Sequence, residues 1–252
     1  RDHMDCEIRL LDSKFERLNF VDTVDRIEDF APDIVAYTAF TNEIKPAAKV
    51  AQMLIERKRI KPMQVVGGVH VTALPEQSLE EFPQFDVVVY GEGEITFLQL
   101  CQAFVASAAY DGIDGLVFRS ADGTVVKTAP RERIVDINDI PVPAWDLLPP
   151  ARQYFIQAQR GCPFSCKFCM NPGGKFVRHR TAESVIDEIR DLAVNYGAKK
   201  ILYGDEIFTV DLPWTKDLVR KKIANNLHQL VEWSATTHVR FIDDELCELM
   251  KA

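Results

Sequence analysis

Four short apolar runs, at residues 33–38, 63–66, 85–90 and 200–203, each stop at a threonine or glycine and give way to a stretch with helical spacing. Runs of this length without polar alternation read as strands buried on both faces. Strand–helix alternation makes such strands parallel, because a crossover helix returns the chain to the same end of the sheet. The expected class is therefore α/β.

Taken in order, residues 6–12 read as an opening strand, and Val21, Val24, Ile27 and Phe30 keep helical spacing after it. Helices are expected over about 45–59, 75–81 and 96–106, and a Gly-containing turn at 121–124 makes 116–128 a hairpin. The Pro-rich stretch Ile140-Pro141-Val142-Pro143-Ala144-Trp145-Asp146-Leu147-Leu148-Pro149-Pro150 lacks backbone donors and marks a stiff linker. This divides the chain into a first α/β domain, 1–137, a linker, 138–152, and a second domain, 153–252. Trp145, Leu147 and Leu148 are expected to pin the two domains together. In the second domain a strand at 154–158 precedes a helix capped by Thr181, whose apolar face is Val185, Ile186, Ile189, Leu192, Ala193 and Tyr196, and which ends at Gly197. A helix over 214–225, a strand at 231–236 and a helix over 243–250 follow.

Between the 154–158 strand and the Thr181 cap lies Arg160-Gly161-Cys162-Pro163-Phe164-Ser165-Cys166-Lys167-Phe168-Cys169-Met170-Asn171-Pro172. Half of the six cysteines fall within eight residues. Thiolates this close on a Gly/Pro-broken loop can converge on one soft metal centre, as in the cysteine runs that hold iron–sulfur clusters. A cubane cluster takes four cysteines, and Cys6, Cys101 and Cys247 are remote and read as buried small apolar residues. One iron would be left open for a substrate or cofactor. A zinc site with His179 as fourth ligand and a structural thiol cluster are the competing readings, although zinc sites usually pair two C-x-x-C units.

The spacing Cys162-x-x-x-Cys166-x-x-Cys169, with Phe168 before the last cysteine, resembles the signature of the radical S-adenosylmethionine enzymes. The resemblance implies a 4Fe–4S cluster on the three cysteines, S-adenosylmethionine chelated to the open iron, and Phe168 near its adenine. Gly204-Asp205-Glu206 resembles the motif that holds the methionine amino group in that family, with Asp in place of a second Gly; its bland reading is a carboxylate cluster at a helix start. In the first domain, Gly67-Gly68-x-His70-x-Thr72 and Gly91-Glu92-Gly93-Glu94, together with the loop from Thr38 through Thr41 to Asn42, resemble the cobalamin-binding domain of one large subgroup. By that resemblance cobalamin lies over these three loops, at the carboxyl ends of strands where open α/β sheets bind ligands. The glycines taken singly need only permit tight turns. No Asp-x-His-x-x-Gly occurs, so no lower axial histidine is identified, and His70 reads as a structural hydrogen-bonding residue more readily than as a cobalt ligand.

The expected architecture is an open, doubly wound parallel sheet of cobalamin-binding type, with its first strand missing before Cys6, followed by part of a radical S-adenosylmethionine (β/α) barrel. About three strand–helix units follow the linker, whereas a full barrel takes about 200 residues or more. The chain as given is thus expected to turn over poorly. The resemblance implies methyl transfer to an unactivated carbon, or a related rearrangement or cyclisation, on a small-molecule substrate, with a flavodoxin or ferredoxin type reductant. The alternatives are a non-catalytic cobalamin and iron–sulfur binding fragment and an electron carrier. A net charge of −8 argues against nucleic acid as a partner, and the basic group Lys175, Arg178, His179, Arg180 is either a solvated loop or a contact for an anionic group. No apolar run is long enough to span a membrane, and clustered free thiols fit a reducing, cytoplasmic setting.

Overall fold

The computed structural model describes residues 3–251 and divides into two compact units, 1–133 and 134–252. In the first, α1 (Phe20–Phe30) is capped by the Asn19 side chain, which accepts from Asp22 N at 3.0 Å. There follow β1 (Ile34–Thr38), α2 (Ile44–Arg57), β2 (Met63–Gly67), α3 (Val69–Ala73), α4 (Pro75–Glu81), β3 (Val87–Val89), α5 (Gly93–Val105), β4 (Leu116–Arg119) and β5 (Val125–Lys127). The sheet runs in the order β1-β2-β3-β4-β5, with β1, β2 and β3 parallel and the β4–β5 hairpin added antiparallel.

Alternation along the strands explains why the valine runs lack polar residues. Val66 and Val88 meet α2, α3 and α4 through Ala48, Ala51, Val71, Leu79 and Phe82, whereas Val65, Val87 and Val89 meet α5 through Leu100. Both faces are covered, so each position of the valine runs is apolar. The expected strand at 6–12 is absent: this segment has no strand pairing, and Ile8 and Leu10 are exposed. Cys6, Ile8 and Leu10 would share one strand face, but no neighbouring strand pairs with the segment and that face is left exposed.

The second unit opens with short 3-10 turns at Ile137–Asp139 and Trp145–Leu147. It continues through β6 (Gln153–Ile156), β7 (Gln159–Arg160), β8 (Arg178–His179), α6 (Ala182–Asn195), β9 (Lys200–Tyr203), α7 (Leu212–Ala224), β10 (Glu232–Ala235) and α8 (Asp244–Lys251). β6, β9 and β10 form a parallel sheet in the order β10-β9-β6, and β7 pairs β8 antiparallel. α6 starts at Thr181, whose hydroxyl accepts from Ser184 N at 3.2 Å, and its Val185, Ile189 and Leu192 share one core with Ile156, Ile201 and Leu218. The Pro-rich stretch packs within this unit. Trp145 sets its ring edge against Tyr154 at 5.4 Å and donates from Nε1 to Glu188 of α6 at 3.0 Å. Among the described residues no helix is long and apolar enough to cross a membrane.

Candidate functional site

The cysteines sit on a loop that the chain closes like a purse. β7 and β8 form its neck, with Gln159 opposite His179 and Arg160 opposite Arg178. Inside it, Cys162 N donates to Gly174 O at 2.8 Å, Asn171 Nδ2 to Cys162 O at 2.7 Å, and Arg178 to Gly173 O at 3.0 Å. Gly161, at φ +103°, is obligatory: a Cβ there would stand 2.3 Å from Phe176 O. A Cβ on Gly173 would fall 2.5 Å from Glu206 Oε1 and 2.6 Å from Gly161 N, so these two backbones nearly touch.

All three cysteines are free thiols, with Cys166 and Cys169 exposed and Cys162 half-buried. Cys169 N donates to Cys166 O at 3.0 Å, and Asn171 N donates to Cys169 Sγ at 3.3 Å. Among the described residues no three Cys, His, Asp or Glu side chains already stand in metal-binding geometry. The donor set nevertheless fits an iron–sulfur cluster in kind: three accessible thiols on one loop, one of them receiving an N–H, which is how proteins stabilise cluster sulfurs. Cys6 and Cys247, expected to be buried, are exposed, and Cys101 is half-buried. Phe168 is 94% exposed.

At the end of β9 the three acidic-motif residues diverge. Gly204 N continues the ladder to Ile156 O at 2.8 Å. Asp205 turns inward, 3% exposed, and its Oδ1 accepts from Ala158 N at 2.9 Å and Gln159 N at 3.1 Å. Burial pushes its carboxyl up to about 7 against the pull of those two backbone donors. Glu206 instead faces the cysteine loop, accepting from Gly161 N at 3.3 Å. Beside the loop, Phe176, Val177, His179, Asp211, Leu212 and Phe241 line an open cavity of about 560 Å³. His179 stacks on Trp214 at 5.1 Å, and burial lowers its pKa although Asp211 opposes the shift. Sequence reading missed Gln159, Asn171 and Gly173; Asn171-Pro172-Gly173 carried a turn signal, but nothing around Gln159 did.

In the first unit the three loops meet at the carboxyl ends of β1, β2 and β3. Ala39 N donates to Gly67 O at 3.1 Å, His70 N to Ala39 O at 3.3 Å, and Gly91 N to Thr72 Oγ1 at 3.2 Å. The His70 ring lies 3.3 Å from Thr41 Oγ1, a contact of the kind a structural histidine makes. The glycines have different duties. Gly68, at φ +102°, would drive a Cβ to 2.8 Å from Ala39 N and O, so the neighbouring backbone dictates it. Gly91, at φ +83°, has nothing within 4 Å of its Cβ position and opens to solvent. A Cβ on Gly93, in the first turn of α5, would meet Val89 at 3.4 Å. Thr38 and Glu92 flank this surface, and the exposed Phe40 and Ile95 lie on the same loop and helix start. Apolar groups beside open backbone suit a large, flat, partly apolar ligand.

A sheet whose strand ends present an open glycine surface, followed by a strand–helix unit that displays three thiols on a closed loop, defines a metal-cluster protein with a separate ligand-binding α/β domain. Family models agree with both halves: a B12 binding domain matches residues 1–101, and the radical SAM superfamily matches residues 156–252. The chain belongs to the radical S-adenosylmethionine proteins that carry a cobalamin-binding domain. It is 34% identical to an uncharacterized methyltransferase of Pyrococcus horikoshii, over 97% of this chain and 54% of that protein. It is 29% identical to the anaerobic magnesium-protoporphyrin IX monomethyl ester cyclase of Cereibacter sphaeroides, over 97% of this chain and 42% of that one. In fold it resembles the radical S-adenosylmethionine methyltransferase TsrM from Kitasatospora setae, with a TM-score of 0.79 at 19% identity, over 98% of this chain and 51% of that chain. The chain thus spans about half the length of these relatives.

Proposed function

We propose that the protein to which this chain belongs is a cobalamin-dependent radical S-adenosylmethionine enzyme that transfers a methyl group to an unactivated carbon of a small molecule. The observation that carries this is the closed loop of three accessible thiols in a chain whose other unit is a B12-binding domain. When bound, the cluster and cobalamin supply reductive cleavage of S-adenosylmethionine and a transferable methyl group. Everything else falls to the chain. Cys162, Cys166 and Cys169 would hold the cluster, and the Gly161–Gly173 contact fixes the loop that carries them. Glu206, already turned to the loop, would receive the methionine amino group, and the exposed Phe168 ring would offer its face to the adenine. Loops 38–42, 67–72 and 91–94 would cradle cobalamin. Reducing equivalents would come one at a time from a flavodoxin or ferredoxin type donor, in a reducing cytoplasm.

The relatives include both methyltransferases and a cyclase, and one experiment separates these outcomes. The natural-length protein, reconstituted and supplied with S-adenosylmethionine bearing a deuterated methyl group and candidate acceptors, is expected to give a deuteromethylated product. S-adenosylmethionine cleavage that oxidises an acceptor without label transfer would refute methyl transfer.

A further inference from the structure

Phe164, between the first two cysteines, packs on rings from the far end of the second unit. Its ring centre lies 5.0 Å from that of His238, tilted by 35°, and 6.0 Å from that of Phe241, and those two rings meet edge-on at 6.2 Å. Each of the three rings thus meets the other two at separations where aromatic pairs attract. His238 and Phe241 follow β10 and are joined by a short 3-10 turn, Val239–Phe241, which His238 itself caps: Arg240 N donates to His238 Nδ1 at 3.2 Å. One imidazole shapes the turn that carries Phe241 and also packs on Phe164. The base of this segment is tied down as well. Thr236 O accepts from Phe208 N at 2.9 Å, and the Thr237 hydroxyl pairs with that of the buried Thr209. The same backbone reaches the other side of Cys162, because Gln159 Nε2 donates to Ile207 O at 3.0 Å and to Phe208 O at 2.7 Å.

We propose that these contacts form a closed circuit that sets the position of Cys162, with Phe164 and His238 as positioning residues that act through the cysteine loop. Gln159, three residues before Cys162, and Phe164, two after it, are fastened to one scaffold, the joined segments that follow β9 and β10. The exposures follow the same division: Cys162 is half-buried, whereas Cys166 and Cys169 are exposed. A thiol whose flanks are already fixed loses less freedom when a cluster binds, so the loop holds iron more tightly than an unbraced loop would. His238 matters here for its ring, which bears on Phe164, and for its acceptor nitrogen, which holds the turn of Phe241 in place. The circuit stands on the chain alone; its bearing on the cluster rests on the function proposed above.

The test begins with amide hydrogen exchange on the metal-free, reduced chain. His238→Asn keeps an acceptor for Arg240 N and removes the ring, whereas His238→Phe keeps a ring and removes the acceptor. Because His238 is exposed, both variants should keep the parent's thermal midpoint. Exchange across residues 162–168 should rise several-fold in the Asn variant and stay nearer the parent's in the Phe variant. Phe164→Leu should behave like His238→Asn, and Phe164→Tyr like the parent. Unchanged exchange in His238→Asn and Phe164→Leu would overturn the circuit, and so would a rise in His238→Phe alone. Anaerobic iron loading then tests the positioning half: His238→Asn should surrender iron to a chelator several-fold faster than the parent and shift the electron paramagnetic resonance spectrum of the reduced protein, and His238→Phe should restore both. Equal rates and spectra in the Asn variant and the parent would overturn that half. A parent chain that takes up no iron would count against the cluster assignment instead, and the exchange result would still decide the circuit.

Discussion

Glycines that look alike in sequence have separable roles in space, and substitution distinguishes them. Gly161→Ala brings a Cβ to 2.3 Å from Phe176 O at a φ of +103°, so we expect the second unit to lose about 1–3 kcal/mol in urea unfolding. In the first unit Gly68→Ala meets the Ala39 backbone at 2.8 Å and should destabilise more than Gly91→Ala, whose cost is confined to its positive φ, about 1 kcal/mol. Equal losses at positions 68 and 91 would contradict this division. The sequence suggested that glycines here yield space to a ligand, and the open position of Gly91 is compatible with that reading. Gly68 answers instead to the Ala39 backbone, distant in sequence, which no local pattern reveals. Asp205 shows the same limit: its motif was recognisable, but its inward turn depends on the backbone of residues 158 and 159.

At the level of elements, local pattern carried most of the information. Val65 to Val66 and Val87 to Val89 announced strands because both sheet faces are covered, and Thr181 announced the start of α6 because its hydroxyl satisfies a free backbone donor. The 6–12 strand failed because alternation alone, with no neighbouring strand to pair and no core to take the Ile8 and Leu10 face, does not hold an element in place. The Pro-rich stretch was legible as a break, but its anchorage was not. Glu188, 3% exposed, accepts from Trp145 Nε1 and from Arg180, so one α6 carboxylate secures both the incoming chain and the residue that precedes the helix cap. Glu188→Ala would leave a mostly buried guanidinium unpaired, and we expect a loss of about 3–5 kcal/mol in denaturant unfolding. Trp145→Phe keeps the ring against Tyr154 and should lose only about 1 kcal/mol. If the two substitutions cost the same, the carboxylate is not the anchor.

At the scale of the whole chain, the central claim is that the second unit holds an open-site iron–sulfur cluster and not a closed metal site. Cys162, Cys166 and Cys169 share one loop, and Cys6, Cys101 and Cys247 lie elsewhere on the chain. Alanine at any of the first three should abolish iron binding, and alanine at any of the last three should leave it intact. The most direct measurement is anaerobic reconstitution followed by iron analysis and electron paramagnetic resonance of the reduced protein, with and without S-adenosylmethionine. The account predicts about four iron atoms per chain, as for a cubane cluster, and a reduced-cluster spectrum that changes when S-adenosylmethionine is added. Stoichiometric zinc with little iron, or a four-iron cluster whose spectrum ignores S-adenosylmethionine, would contradict it.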